Sequence, residues 1–361
     1  MRPFLILTIY LFFAVKVIGQ NTLPDSVMQK TGFTDKAEAQ NILKDSVKEG
    51  KWFEYLDING NITKNPNAPY YSLTFYRGGR PSGLERIYYK SGKLQGEIPY
   101  VKGKINGEYK RYYESGKVYV DIPYVDGKEN GVAKLYYENG ALLKEAQCSN
   151  DKINGKVKIY YQSGKLNQES TYTNGIITGV VKVYYENGNL MSEAPFANNK
   201  RNGPYKWYYE SGKLQGEVNY KDSLEEGVAK EYYESGKLQK QVLCVNGKKT
   251  GIGEEYYENG KLKGQCLYVN DMKNGMDSIY DENGKLNGVV PYKEDSINGV
   301  EKLYYSNGAL EIEIPYTGDA RNGIEKEYYE SGKLKSETPY IDDEISGTIK
   351  FYDENGNIIK Q

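Results

Sequence analysis

Glycine returns every 24 residues through most of this chain, at Gly92, Gly116, Gly140, Gly164, Gly188, Gly212, Gly236, Gly260, Gly284, Gly308, Gly332 and Gly356. No insertion breaks the register. So strict a repeat removes the two or three ordinary globular domains that 361 residues would otherwise suggest. Ser or Asn precedes each of these glycines, as in Ser115-Gly116 and Asn139-Gly140, and such pairs suit a two-residue hairpin turn with positive φ. A second series, from Gly83, Gly107 and Gly131 to Gly347, runs nine residues ahead and marks a second turn point. Each unit therefore reads as an antiparallel hairpin.

Counting outward from a two-residue turn sets Glu114 opposite Lys117, Tyr113 opposite Val118, Tyr112 opposite Tyr119 and Lys110 opposite Asp121. The same count sets Glu210 opposite Lys213 and Lys206 opposite Glu217. Opposite charges facing across strands each add about 0.2–1 kcal/mol, so turn and charge specify one register. Residues two apart on a strand share a face. One face then collects Tyr89, Tyr113 and Tyr137 with Leu94, Val118, Leu142, Ile98, Ile122 and Val218, and is expected to be buried.

The other face carries the first tyrosine of each Tyr-Tyr pair, or its equivalent, between rows of Lys and Glu. These residues are Tyr88, Tyr112, Tyr136, Tyr160, Tyr184, Tyr208, Tyr232, Tyr256, Tyr280, Tyr304, Tyr328 and Tyr352. They form the candidate binding stripe, expected to be exposed, because a tyrosine ring offers an apolar face and a hydroxyl to an extended peptide or glycan. The same rings also serve simply to cover the sheet. Pro99, Pro123, Pro195, Pro291, Pro315 and Pro339 share one position seven residues after the turn glycine, where the ladder is expected to bend or open.

Tyrosine dominates the aromatic composition, 38 residues against 8 Phe and 2 Trp, and there is no His at all. Without His the chain lacks the commonest general base at neutral pH and the commonest metal ligand. Carboxylates repeated along a ribbon make no single cleft in which one could be desolvated. No catalytic residue, cofactor or metal is expected; the segment from Asp57 to Asn61 reads as a hairpin turn rather than a calcium loop. Basic and acidic residues nearly cancel, 48 against 49, so nothing steers the chain toward nucleic acid. Cys148 and Cys244 occupy one register four units apart and Cys266 lies nearly a unit further on, too far for any disulfide.

The ends differ from the repeats. Arg2, an apolar run to Val15 and small residues up to Gly19 form a signal peptide over 1–19, which predicts an exported chain. Residues 20–49 are an N-terminal cap in which KAEAQNILKDSVKEG predicts a short helix, and residues 50–82 form a degenerate first unit with an insertion. At the other end, Ile358 and Ile359 lie on a strand whose free edge offers a route to self-association.

The units LQGEIPYVKGKINGEYKRYYESGK and LQGEVNYKDSLEEGVAKEYYESGK resemble the MORN repeat, and more closely its bacterial variant with YY-x-(S/N)-G-x-L. The resemblance covers residues 83–361 in twelve units. It implies an all-β fold, an elongated antiparallel hairpin array forming a curved single-layer sheet or open solenoid, used for scaffolding or protein contact, and it supplies no catalytic residues. Some bacterial chains of this kind are classed as antitoxins. The reading that combines these features is an exported, non-enzymatic scaffold for protein or cell-envelope partners. Its alternatives are an antitoxin-like neutraliser of a toxin partner and a cell-wall or glycan-binding module.

Overall fold

A computed structural model describes residues 32–360, so the expected signal peptide lies outside the described residues. The fold is all-β: an open antiparallel sheet of 37 strands. Two compact units divide the chain, one extending to Lys165 and including Tyr172–Gly175, the other made of Leu166–Thr171 and the chain from Ile176 onward.

One repeat shows how the sequence produces the strands. Strands Gly107–Tyr112 and Val118–Val125 pair antiparallel, with Lys110 opposite Asp121 as the charges predict. The turn between them is longer than two residues. Tyr113 N–H donates to the Lys117 carbonyl and Gly116 N–H to the Tyr113 carbonyl, both at 2.8 Å, so Glu114, Ser115 and Gly116 form a three-residue loop. Gly116 takes φ +86°, a conformation that needs glycine there. Tyr112 consequently faces Val118, and Tyr119 is left over as a bulge before the register recovers at Val120. Lys206 opposite Glu217 is likewise found, whereas the expected pairs nearest the turn are not.

The two-residue turn lies at the other end of the hairpin. Asp126 and Gly127 have φ +52° and +83° and connect Val125 to Lys128, the geometry that favours Asp-Gly and Asn-Gly pairs. Equivalent pairs are Asn150-Asp151, Asn174-Gly175, Asn246-Gly247 and Asp342-Asp343. The second glycine series is therefore a bulge and not a turn. Gly131 has φ +125°, and a Cβ there would stand 2.7 Å from Pro123 Cγ. Between Asp121 opposite Lys134 and Tyr124 opposite Glu129 the ladder opens by two residues, and Asn130 N–H donates to the Pro123 carbonyl at 2.9 Å. A hairpin without the proline opens at the same place, between Ala146 opposite Val157 and Cys148 opposite Ile153, so proline accommodates the opening rather than causing it. This break divides many strands in two, which is why there are more than two strands per unit.

The N-terminal cap corrects the helix expectation. Only Lys36–Glu38 makes a single 3-10 turn. Ile42–Lys44 and Val47–Leu56 then form a hairpin about Asp45 and Ser46, with φ +49° and +64°. Val47–Leu56 pairs along Tyr70–Arg77, and that long-range ladder overrides the helical preference of the local residues.

Candidate interaction face

Alternation, corrected for the bulges, gives the sheet two unlike faces. The packed face holds a cluster of buried Val120, Ile122, Ala133, Ala146, Cys148 and Val157, with Tyr109, Tyr124 and Leu135 against it. The bulge at Tyr119 moves Val118 off this face, and its counterpart at Gln95 does the same to Leu94; both now pair with the first tyrosines. All three cysteines are free and buried. Burial first, then the nearby carboxylates, pushes the Cys148 and Cys244 thiols up to about 11, so neither is a reactive nucleophile at neutral pH.

The opposite face is a charge ladder. In the first unit Arg86, Glu97, Lys110, Asp121, Lys134, Glu145 and Lys158 stand opposite one another in succession. In the second unit Lys182, Glu193, Lys206, Glu217 and Lys230 continue the pattern, as do Lys302, Glu313, Lys326, Glu337 and Lys350. Several neighbours form ion pairs, including Lys302 with Glu313 at 3.0 Å and Arg86 with Glu97 at 3.3 Å.

The first tyrosines flank this ladder, and the structure corrects their expected exposure. Tyr88 is buried, and Tyr112, Tyr136, Tyr160, Tyr184, Tyr208, Tyr232, Tyr256, Tyr280, Tyr304, Tyr328 and Tyr352 are half-buried. The ladder engages their hydroxyls. Tyr112 donates to Glu97 at 2.9 Å, Tyr160 to Glu145 at 2.7 Å, Tyr184 to Glu169 at 2.8 Å and Tyr208 to Glu193 at 2.9 Å. Tyr232, Tyr328 and Tyr352 repeat the bond with Glu217, Glu313 and Glu337. Burial, and then the accepting carboxylate, pushes Tyr112, Tyr160, Tyr184, Tyr208 and Tyr328 up to about 12. At Tyr280 and Tyr304 the position fifteen residues back holds Gln265 and Val289 instead of a carboxylate.

The second tyrosines fasten successive hairpins together. Tyr113 donates to the Tyr136 carbonyl, Tyr209 to that of Tyr232 and Tyr329 to that of Tyr352, at 2.7–2.8 Å. Each bond joins one turn to the hairpin that follows it, so this tyrosine is structural.

Beyond the ladder, toward the two-residue turns, the same face bears an aliphatic row that sequence reasoning missed. Val132, Val180, Val228, Ile252, Met276, Val300 and Ile324 each follow a glycine of the second series by one residue, and each is exposed. Their recurrence at 24-residue intervals, two positions ahead of the ladder residue, was the available signal.

Among the described residues, the chain covers this face itself at one place. Phe33 packs on Leu73 and Tyr88, with Ala39, Phe53, Tyr71 and Leu94 around it. Tyr71 and Tyr88 stack at 5.1 Å, and Arg86 Nη1 donates to the Phe33 carbonyl at 3.4 Å. Gly32 lies so close that a Cβ would fall 2.6 Å from Arg86 Nη1 and 3.2 Å from Leu84 Cβ. Residues 32 and 33 thus cross Leu84 of the aliphatic row, Arg86 of the ladder and Tyr88 of the tyrosine row.

Hairpins repeated in register, with one packed face and one patterned face, define a repeat scaffold protein. The MORN repeat variant model matches twelve segments, from 81–102, 105–126 and 129–149 through to 346–361, and the chain belongs to that family. No curated protein matches it. Among solved structures, a Photorhabdus luminescens Tc holotoxin pore is 13% identical with a TM-score of 0.17, over 75% of this chain and 17% of that one. A crystal structure of TcdB2–TccC3 is 12% identical with a TM-score of 0.16, over 75% and 18%. The chain thus spans under a fifth of the length of either.

Proposed function

We propose that this chain is an exported, non-enzymatic scaffold that holds protein partners of the cell envelope against its ladder face. The observation that carries the reading is the inequality of the two faces. Val120, Ile122, Ala133, Ala146 and Val157 of the packed-face cluster are buried at 3–7% exposure, whereas the side chains of the aliphatic row beside the ladder stand at 39–58%. Exposed apolar rows of this kind mark interaction surfaces. Membership of a repeat family that mediates protein contacts supports the same conclusion. Export rests on Arg2 and the apolar run that follows it.

Two measurements test this reading. Fusion of residues 1–30 to an alkaline phosphatase that matures only after export is expected to give active enzyme; an inactive, cytoplasmic fusion contradicts export. Photoreactive residues at Val180 and Ile324 are expected to give discrete protein adducts in the envelope fraction, and one at the turn residue Ser115 is not. Equal or absent adducts contradict a partner-binding ladder face.

A further inference from the structure

The ladder is not uniform, and its departure coincides with the densest part of the aliphatic row. Between Lys230 and Lys302 the successive positions are Gln241, Glu254, Gln265, Ser278 and Val289, which face one another in turn. Four of those five are uncharged. Beside them stand Val228 opposite Leu243, Ile252 opposite Leu267, and Met276 opposite Pro291. Val228, Leu243, Ile252, Leu267 and Met276 are 46%, 40%, 58%, 41% and 50% exposed. Covering a charged ladder means desolvating its ions, which costs several kcal/mol per ion where they are left imperfectly paired. Covering this stretch removes apolar surface from water and strips almost no charge.

We propose, building on the scaffold reading above, that residues 228–300 form a docking site for an extended protein segment presenting a large apolar side chain beside a small residue. The chain's own cover supplies the argument for that occupant. Gly32 and Phe33 lie across Leu84, Arg86 and Tyr88, burying Phe33 to 4% exposure. The three rows they cross recur as Ile252, Glu254 and Tyr256, and as Met276, Ser278 and Tyr280. Gly32 permits the close approach, and the neighbouring Phe33 ring provides the buried area. The surroundings favour a protein segment over a lipid surface, because the only ladder charge between Lys230 and Lys302 is Glu254, and anionic headgroups find no cationic row there.

The test is selection of a random dodecapeptide phage library on the full chain, with each enriched peptide then titrated against wild type and the double variant Ile252→Lys/Met276→Lys. Both side chains are at least half exposed, so the variant retains its fold, which circular dichroism verifies. The expected result is enrichment of peptides with Phe, Trp or Leu beside Gly, Ala or Ser, binding the variant at least tenfold more weakly, while a control variant Val132→Lys binds them unchanged. No enrichment overturns the proposal, as does equal binding to the double variant. So does binding of zwitterionic or phosphatidylserine vesicles through Ile252 and Met276 without peptide binding. None of these results bears on export or on adducts formed at Val180 and Ile324, so the scaffold reading stands or falls separately.

Discussion

The strand that carries Leu84, Arg86 and Tyr88 and the strand that carries Val228, Lys230 and Tyr232 have the same pattern of aliphatic residue, charge and tyrosine, yet among the described residues only the first has a cover. Under Phe33, Leu73 is fully buried and Tyr88 is 9% exposed, whereas Tyr208 and Tyr232 are half-buried. The difference shows which side of a single layer needs a second body. The packed face closes over its own small residues, such as Ala133 and Ala146, by means of neighbouring tyrosines. Among the described residues, the ladder face closes where Gly32 and Phe33 are laid upon it.

Removing the cover should break the contrast most strongly. Phe33→Ala is expected to cost about 3–5 kcal/mol, the usual loss for a buried phenylalanine. Hydrogen exchange should speed up across residues 70–94 and remain unchanged from Ile176 onward. Equal acceleration in both regions would show that Phe33 acts by another route.

The covered end also buries the Glu85 carboxyl more deeply than the open repeats bury its counterpart Glu325. Glu85 accepts from Thr74 Oγ1 at 2.9 Å on the packed face, and burial holds its carboxyl above the usual 4.5. A group raised in the folded state stabilises fully below its unfolded value, and that contribution is lost as pH rises through the folded value. Thermal melts of the wild type should therefore show the N-terminal strands weakening as pH climbs from about 4.5. Glu85→Gln should flatten that decline, a smaller effect than loss of Phe33.

In the open repeats the hydroxyl bonds can be removed singly. Tyr208→Phe deletes the bond to Glu193 and should cost about 1 kcal/mol, less than a fully buried bond to a charged group because the site is half open. The alkaline limb provides a second readout. Tyrosines raised to about 12 stabilise below pH 10 and lose that contribution as pH rises from 10 through 12. Phenolate absorbance should lag behind that of the unfolded chain across this range.

The smallest effect separates the two parts of the ladder. Lys206→Gln interrupts Glu193 and Glu217 and should cost about 0.5 kcal/mol, diminishing as salt is added. Gln265→Asn, between Glu254 and Ser278, breaks no ion pair and should show no salt dependence.

Much of this was legible in the residues. The period, the all-β class, the pairings of Lys110 with Asp121 and Lys206 with Glu217, and the unpaired cysteines follow from spacing and charge, and the family from the resemblance of the units to the MORN repeat. The face assignments near the turns did not, because a one-residue bulge moves Leu94 and Val118 to the other side and the bulged positions share no side-chain type: Tyr119, Leu143, Met191 and Gln215 all serve. The hairpin at Asp45 and Ser46 was hidden because its second strand depends on pairing with Tyr70–Arg77. The uncharged stretch of the ladder could have been read by stacking the units and comparing Lys230, Gln241, Glu254, Gln265, Ser278 and Val289.

The central claim is that partners sit on the ladder face and leave the packed face untouched. Carbene footprinting of the full chain, with and without a selected peptide, tests it residue by residue. The account predicts protection at Val228, Ile252 and Met276 with no change at Ile279, an aliphatic side chain that the packed face leaves 40% exposed. Protection of Ile279, with Ile252 and Met276 still labelled, would contradict it.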